Sequence, residues 1–233
     1  MRRGFHDELQ ALEGEILHMG SLVEESLAMV LKALAARDEG IAGTVIDNDD
    51  FVDQKYVEIE HRILGLLARQ APVAGDLRLI SGILHINIHL ERMGDLCVNM
   101  AKFVRLTRDF LVNPQMQETL EEMGARAKKM IAASLQAFAQ RDLELALNLP
   151  RMDDTLDRMN KQMFKEIAAS AGDERMLDWA SRMVMVSRYL ERLGDHAVDI
   201  GEQVAFIVTG EIREFTGEPA SSREGRPPSE ASP

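Results

Sequence analysis

The chain has 233 residues, 45% of them hydrophobic and 28% charged, a balance typical of a soluble globular protein of one or two domains. A formal net charge of -12 argues against the broad basic surface that nucleic acid or anionic lipid favours, so we expect no nucleic-acid partner. No apolar run reaches the roughly 18 residues of a membrane span, and the first twenty residues lack the apolar stretch of a signal peptide. We therefore expect no direct membrane insertion.

The single cysteine, Cys97, cannot form an internal disulfide and fits a reducing compartment. It falls on an apolar stripe, so we expect it to be a buried core residue. The sequence therefore predicts a cytoplasmic protein.

Apolar residues recur at three- and four-residue spacing through most of the chain, which predicts long amphipathic helices. Pro72 and the pair Asn113-Pro114 interrupt this pattern. Three helices are predicted before the second break, on stripes at 9–34, 41–66 and 83–104, and three after it, over about 116–140, 143–171 and 173–209. Strand signals are nearly absent, so the predicted fold class is all-α.

The second half of the chain repeats the first. Leu90-Glu91-Arg92-Met93-Gly94-Asp95 returns one hundred residues later as Leu190-Glu191-Arg192-Leu193-Gly194-Asp195. At an offset of 104, Arg37-Asp38 aligns with Arg141-Asp142, and Asp49 and Asp53 align with Asp153 and Asp157. The sequence therefore predicts a tandem repeat of two three-helix bundles with six long helices. Their predicted bounds are 5–110 and 114–209, followed by a disordered tail over 210–233.

Acidic residues in both repeats are spaced four apart, which places each pair on one helix face. The four pairs are Glu91 with Asp95, Glu191 with Asp195, Asp49 with Asp53, and Asp153 with Asp157; Asp199 and Glu202 extend the last helix in the same direction. If the second and third helices of each bundle are neighbours, four carboxylates converge in each half, and an oxygen-preferring cation such as Mg, Mn or Fe would relieve their repulsion. Gly94 and Gly194 would permit a close approach.

Two readings without this metal site stay open. The acidic pairs are equally compatible with a solvated polar face, in which Arg92 and Arg192 pair with nearby acids and the bundles serve only as a structural interaction protein. The second alternative is a carboxylate-bridged di-iron enzyme, because Glu15 with His18 and Glu58 with His61 have the Glu-x-x-His spacing. Both pairs flank the apolar stripes and have no counterpart in the second half, so we expect no enzymatic activity.

Three further histidines are candidate metal ligands. His85 and His89 have a spacing that suits zinc, but the second repeat carries Met185 and Tyr189 there, which favours packing or surface roles. His196 is expected to act only as a partner that orients a ligand.

The doubled Leu-Glu-Arg-x-Gly-Asp signature, the preceding Asp-Asp-x-x-Asp helices and the segment Ala71-Pro72-Val73-Ala74-Gly75-Asp76-Leu77-Arg78 resemble the PhoU family over about residues 5 to 209. The resemblance implies two similar three-helix bundles that hold metal ions, including iron clusters, with manganese, zinc and magnesium as alternatives. By position, the implied metal ligands are Asp49, Asp53, Glu91, Asp95, Asp153, Asp157, Glu191, Asp195, Asp199 and Glu202. The sequence departs from the family pattern at Lys102, where an acid is common.

The resemblance also implies a function: negative regulation of the phosphate-starvation response and modulation of high-affinity phosphate uptake. The implied partners are the phosphate transporter ATPase and the membrane sensor histidine kinase, and we expect a homodimer. Two mechanisms stay open, because the metals would either bridge the acidic protein to inorganic phosphate or order a docking surface.

Overall fold

The computed structural model describes residues 2–170 and 172–215. Within these residues the chain forms six long α-helices, one short α-helix and a 3₁₀ turn, and no strand. The helices are α1 (Arg2–Ala36), α2 (Glu39–Asp47), α3 (Asp49–Arg69), α4 (Ala74–Leu106), α5 (Pro114–Gln140), α6 (Leu143–Glu166) and α7 (Glu174–Thr209), and the 3₁₀ turn spans Ile167–Ser170. The predicted all-α class with six long helices is therefore confirmed.

The repeated Arg-Asp pair is a helix-to-helix turn. Arg37 and Arg141 both have φ of 55°, the left-handed conformation that ends a helix. The next residue then caps the following helix: the Asp38 carboxylate accepts from the Gly40 and Ile41 amides at 2.8 and 3.0 Å. Asp142 plays the same role at the start of α6. The Arg-Asp pairs that match at an offset of 104 residues therefore form the same helix-to-helix turn in both halves.

The second helix of each half differs from the prediction. In the first half the stripe at 41–66 was predicted as one helix, but the structure divides it at Asn48 into α2 and α3. The break falls in the run Asp47-Asn48-Asp49-Asp50, whose residues are weak helix formers, and the Asn48 side chain makes no capping hydrogen bond to α3. In the second half α6 continues through Pro150 and ends at Glu166, before the 3₁₀ turn. The predicted end at Ala171 lies outside the described residues.

The two repeats share one hydrophobic core. Its buried side chains come from both halves, and they include Cys97, as predicted. The helix α4 packs along α7 as extensively as α6 does, and α1 packs on α5. Gly82 lies beside Ile207 while Phe103 lies beside Tyr189, so α4 and α7 run antiparallel. The central helices are therefore α1, α4, α5 and α7, with α3 and α6 on the flanks.

The chain after α7 turns back onto that helix. Gly210 ends α7 in the left-handed conformation, and the Phe215 amide donates to the Glu202 carboxylate. The rest of the predicted tail, residues 216–233, lies outside the described residues. The predicted domain bounds at 5–110 and 114–209 stay a prediction, because helices of the two bundles pack on each other in the shared core.

Candidate metal centre

In the second half, carboxylates from α6 and α7 converge as the sequence predicts. One carboxylate oxygen each from Asp153, Asp157 and Asp195 lies within 4.8 Å of the others. Burial, followed by the charges of Asp195, Asp157 and Glu191, raises the pKa of Asp153 to about 7 from an ordinary 3.8. A raised pKa of this origin reflects burial together with a concentration of negative charge.

Two oxygens of this second cluster, which we define as Asp153, Asp157, Glu191 and Asp195, are buried without a hydrogen-bond partner. They are Asp153 Oδ1 and Glu191 Oε2. The other Glu191 oxygen is ion-paired with Arg188, and burial together with Asp195 raises the pKa of Glu191. Buried carboxylate oxygens are costly without a partner, so these two atoms are suited to a bound cation.

The first cluster, defined as Asp49, Asp53, Glu91 and Asp95, is the equivalent group on α3 and α4. Burial and then the charges of Asp53, Asp95 and Glu91 raise the pKa of Asp49 to about 6. Arg92 lies beside this cluster, with Nε 3.5 Å from Glu91 Oε2 and NH1 3.9 Å from Asp95 Oδ2. The four acids therefore lie close enough to influence one another, and Arg92 is their cationic neighbour as Arg188 is in the second cluster.

The two signature glycines hold the helices close enough for the clusters to form. A Cβ added at Gly94 would lie 3.3 Å from Asp49 Oδ1 and 3.2 Å from Val52 Cγ1. A Cβ at Gly194 would collide with Asp153 Oδ1 and lie 3.0 Å from Leu156 Cδ1. In each half the first aspartate of the flanking helix thus sits directly over the glycine, which is the close approach that the sequence predicts.

The remaining two predicted ligands face elsewhere. Glu202 accepts the hydrogen bond from Phe215, and burial raises its pKa. Asp199 Oδ2 lies 3.4 Å from the Nδ1 atoms of both His89 and His196. The two Nδ1 atoms are 3.2 Å apart, so these three side chains form a separate group between α4 and α7. The sequence favours a packing or surface role for His89; it does not show the antiparallel pairing of α4 with α7, which brings residue 89 to residue 196.

The di-iron alternative gains no support from the described contacts of its glutamates. Lys55 Nζ lies 2.9 Å from Glu15 and 2.8 Å from Glu58, and Arg62 NH1 lies 2.9 Å from Glu15. His18 and His61 are exposed. The two glutamates therefore share a lysine as their counter-ion, which is an ordinary surface ion-pair arrangement.

The residues of the second cluster fit a cation. Its donors are all carboxylate oxygens, three of them are close enough for one ion or a small cluster of ions, and two buried oxygens lack any other partner. Such a donor set suits magnesium, manganese or iron better than soft metals. None of the helices in the described part of the chain has the apolar length that a membrane crossing needs.

Fold and site together define an all-α protein of duplicated three-helix units with a carboxylate cluster in each. The model of the PhoU domain matches the chain twice, over residues 16–104 and 120–204. The chain therefore belongs to the PhoU family, as the doubled signature indicates.

Similar proteins cover most of the chain. The phosphate-specific transport system accessory protein PhoU homolog of Clostridium acetobutylicum is 33% identical over 211 residues, which are 90% of this chain and 96% of that protein. The crystal structure of PhoU from Pseudomonas aeruginosa superposes with a TM-score of 0.84 at 34% identity, covering 89% of this chain and 100% of that one. The phosphate transport system regulatory protein PhoU from Streptococcus pneumoniae gives a TM-score of 0.82 at 31% identity, covering 90% and 99%.

Proposed function

We propose that this chain is a negative regulator of the bacterial phosphate-starvation response and a modulator of high-affinity phosphate uptake. The observation that supports this most directly is the match of both repeats to proteins named for phosphate transport, over nine-tenths of the chain. The protein acts by binding rather than by catalysis. It does so as a cytoplasmic, homodimeric scaffold that contacts the phosphate transporter ATPase and the membrane sensor histidine kinase.

The scaffold binds metal ions through its two carboxylate clusters. In the second half, Asp153, Asp157 and Asp195 supply the converging oxygens, and Glu191 adds its unpartnered Oε2. Iron clusters are the preferred occupants, with manganese, magnesium and zinc as alternatives. When bound, the cations neutralise the clusters and present positive charge on a protein whose net charge is -12, which would favour contact with phosphate or with acidic groups of a partner.

The flanking helices offer contact points for partners. Phe51 on α3 and Phe164 on α6 are 59% and 55% exposed, an unusual placement for large aromatic side chains, although single exposed apolar residues are common. Both residues lie on the helices that also carry Asp49 and Asp153. A partner bound over α3 or α6 would therefore be sensitive to whether the neighbouring cluster holds a cation.

The test combines metal analysis with partner capture in the source bacterium. Tagged parent protein should contain stoichiometric metal, co-purify with the ATPase and the kinase, and repress a phosphate-starvation reporter at high phosphate. Asp153→Asn/Asp195→Asn should lose metal, while Phe164→Ser should keep metal and lose partner contact.

Either mechanism has a distinct outcome in calorimetry. Phosphate binding by the metal-loaded parent, absent in the metal-free protein, would support metal-bridged phosphate; its absence would leave the metals as organisers of the docking surface. If the parent protein contains no metal and still binds both partners, only the hypothesis of an interaction scaffold without metal remains. Loss of the gene without any change in the reporter would contradict the regulatory proposal itself.

A further inference from the structure

The three side chains between α4 and α7 have the composition and spacing of a transition-metal site. His89 comes from the first repeat, and His196 and Asp199 come from the second. Their donor atoms are separated by 3.2 Å between the two Nδ1 atoms and by 3.4 Å from each Nδ1 to Asp199 Oδ2. The three atoms therefore form a nearly equilateral triangle, and each of them offers a lone pair when both imidazoles carry their proton on Nε2.

The size of this triangle matches one face of a tetrahedral zinc site. With metal-ligand bonds of 2.0 to 2.1 Å, tetrahedral geometry separates neighbouring donors by about 3.3 Å. Right-angle geometry at the same bond length would give about 3.0 Å, shorter than all three separations. An ion about 0.7 Å above the plane of the three donors would be at bonding distance from each of them.

Hydrogen bonding alone does not satisfy this group. A proton on one Nδ1 makes that nitrogen a donor to the other Nδ1 or to Asp199, but the two remaining atoms then face each other as acceptors; with a proton on both nitrogens, two donors face each other instead. Burial lowers the pKa of His89 below its ordinary 6.5, which favours the neutral imidazole that binds metals. Asp199 is 40% exposed, so the fourth position of a bound ion is open to water.

We propose that His89, His196 and Asp199 bind one zinc-class divalent transition metal ion in tetrahedral coordination, which links the two repeats across the α4 and α7 interface. The site differs from the carboxylate clusters in its donors, because imidazole nitrogen suits zinc whereas the clusters offer only oxygen. It lies next to both of them, since the charge of His196 acts on Glu91 of the first cluster and on Asp195 of the second.

The repeat supplies an internal comparison. At an offset of one hundred, His89, His196 and Asp199 correspond to Tyr189, Leu96 and Asn99. Tyr189 packs against Phe103, with ring centroids 6.2 Å apart, and Leu96 is buried. The equivalent place on the other side of the α4 and α7 pair thus keeps none of the three ligands, so the inferred site occurs once per chain in the described structure.

The experiment titrates zinc into the chelator-treated full chain in competition with a chromophoric chelator. The parent should bind one tight equivalent that His89→Gln and Asp199→Asn lose, with affinity falling by more than the roughly 10- to 100-fold cost of altering even a ligand's outer partner. Cobalt(II) in place of zinc should give the intense visible absorption of tetrahedral coordination in the parent alone. His85→Gln is the matched control, because His85 lies one turn earlier on α4, is exposed and places its Nδ1 2.8 Å from the Ser81 carbonyl oxygen.

A second control separates this site from the proposed carboxylate centre. Asp153→Asn/Asp157→Asn should keep the tight zinc equivalent and the cobalt spectrum even if it loses other metal. Helical content by circular dichroism checks the fold, and Asp199→Asn decides the matter if His89→Gln is misfolded, because its half-exposed carboxylate is not needed for packing. Equal zinc stoichiometry and affinity in parent, His89→Gln and Asp199→Asn would overturn the proposal, as would a cobalt spectrum without tetrahedral bands in the parent.

Discussion

The two carboxylate clusters are built on the same signature, yet the second is the stronger candidate for a cation. Three oxygens converge within 4.8 Å in the second cluster, and the pKa of Asp153 rises to about 7. In the first cluster the pKa of Asp49 rises only to about 6. Each cluster has an arginine neighbour, Arg92 in the first and Arg188 in the second. The comparison teaches that a repeated motif fixes where carboxylates gather, while their burial and the spacing of their oxygens decide how strongly they repel one another.

Residues beyond the signature extend this difference. In the first half, Lys102 Nζ donates to Asn99 Oδ1 at 3.2 Å. At the equivalent places the second half has Asp199 and Glu202. After the signature, α4 therefore carries an amide and a cation, whereas α7 carries two acids. The two repeats thus differ in charge at equivalent positions.

The largest expected effect is on metal content. Asp153→Asn/Asp195→Asn should reduce metal affinity of the second cluster by about 100-fold or more, because it removes two of three converging ligands. Asp49→Asn/Asp95→Asn should remove less metal from the protein. Elemental analysis after dialysis against a weak chelator measures both, with the exposed neighbour Asp154→Asn as control. Equal loss from the two double variants would contradict the ranking of the clusters.

The next effect concerns the glycines. Gly194→Ala should destabilise the metal-free protein by about 1–2 kcal/mol, because its methyl group collides with Asp153 and crowds Leu156. Gly94→Ala should be close to neutral, since milder contacts at 3.2 and 3.3 Å are offset by a gain of about 1 kcal/mol in helix propensity. Urea denaturation gives both free energies of unfolding. A larger cost at Gly94 than at Gly194 would show that the first cluster is the more tightly packed.

A pH dependence follows from Asp153. Its folded pKa of about 7 lies above the ordinary 3.8, so the folded protein retains this proton where the unfolded chain has lost it. The contribution of Asp153 to the free energy of unfolding is fully present below pH 3.8 and is lost as the pH rises to about 7. Asp153→Asn should therefore stabilise the metal-free protein at pH 8 by about 1–2 kcal/mol after solvent screening.

Thermal unfolding of parent and Asp153→Asn between pH 5 and pH 8 measures this effect. The parent should lose stability over that interval more steeply than the variant, while Asp49, with its pKa near 6, leaves a smaller slope in both. Asp154→Asn, which changes the same charge at an exposed position, is the control. Parallel pH profiles for parent and Asp153→Asn would contradict the assignment of the buried charge.

Much of this architecture follows from short sequence patterns, because they act locally. The four-residue spacing of Glu91 and Asp95 fixes their common face, and the repeat register predicts that α3 and α6 deliver Asp49 and Asp153 to the signature helices. The break at Asn48 was not predicted, since the apolar stripe runs through it and the only local signal is a run of four weak helix formers at 47–50. The group of His89, His196 and Asp199 was not predicted either, because it depends on how α4 docks on α7, which periodicity does not encode.

The smallest effect tests whether the first cluster can be made to resemble the second. Lys102→Glu removes a cation beside Asn99 and supplies the acid found at Glu202, which faces away from the second cluster, so it should raise metal affinity of the first cluster by no more than about twofold, because exposed charges outside the cluster are screened. Calorimetry in the Asp153→Asn/Asp195→Asn background isolates that cluster. Lys128→Glu, an equal charge change at an exposed position on α5, is the matched control. If both substitutions raise affinity equally, net charge rather than the local contact with Asn99 distinguishes the two halves.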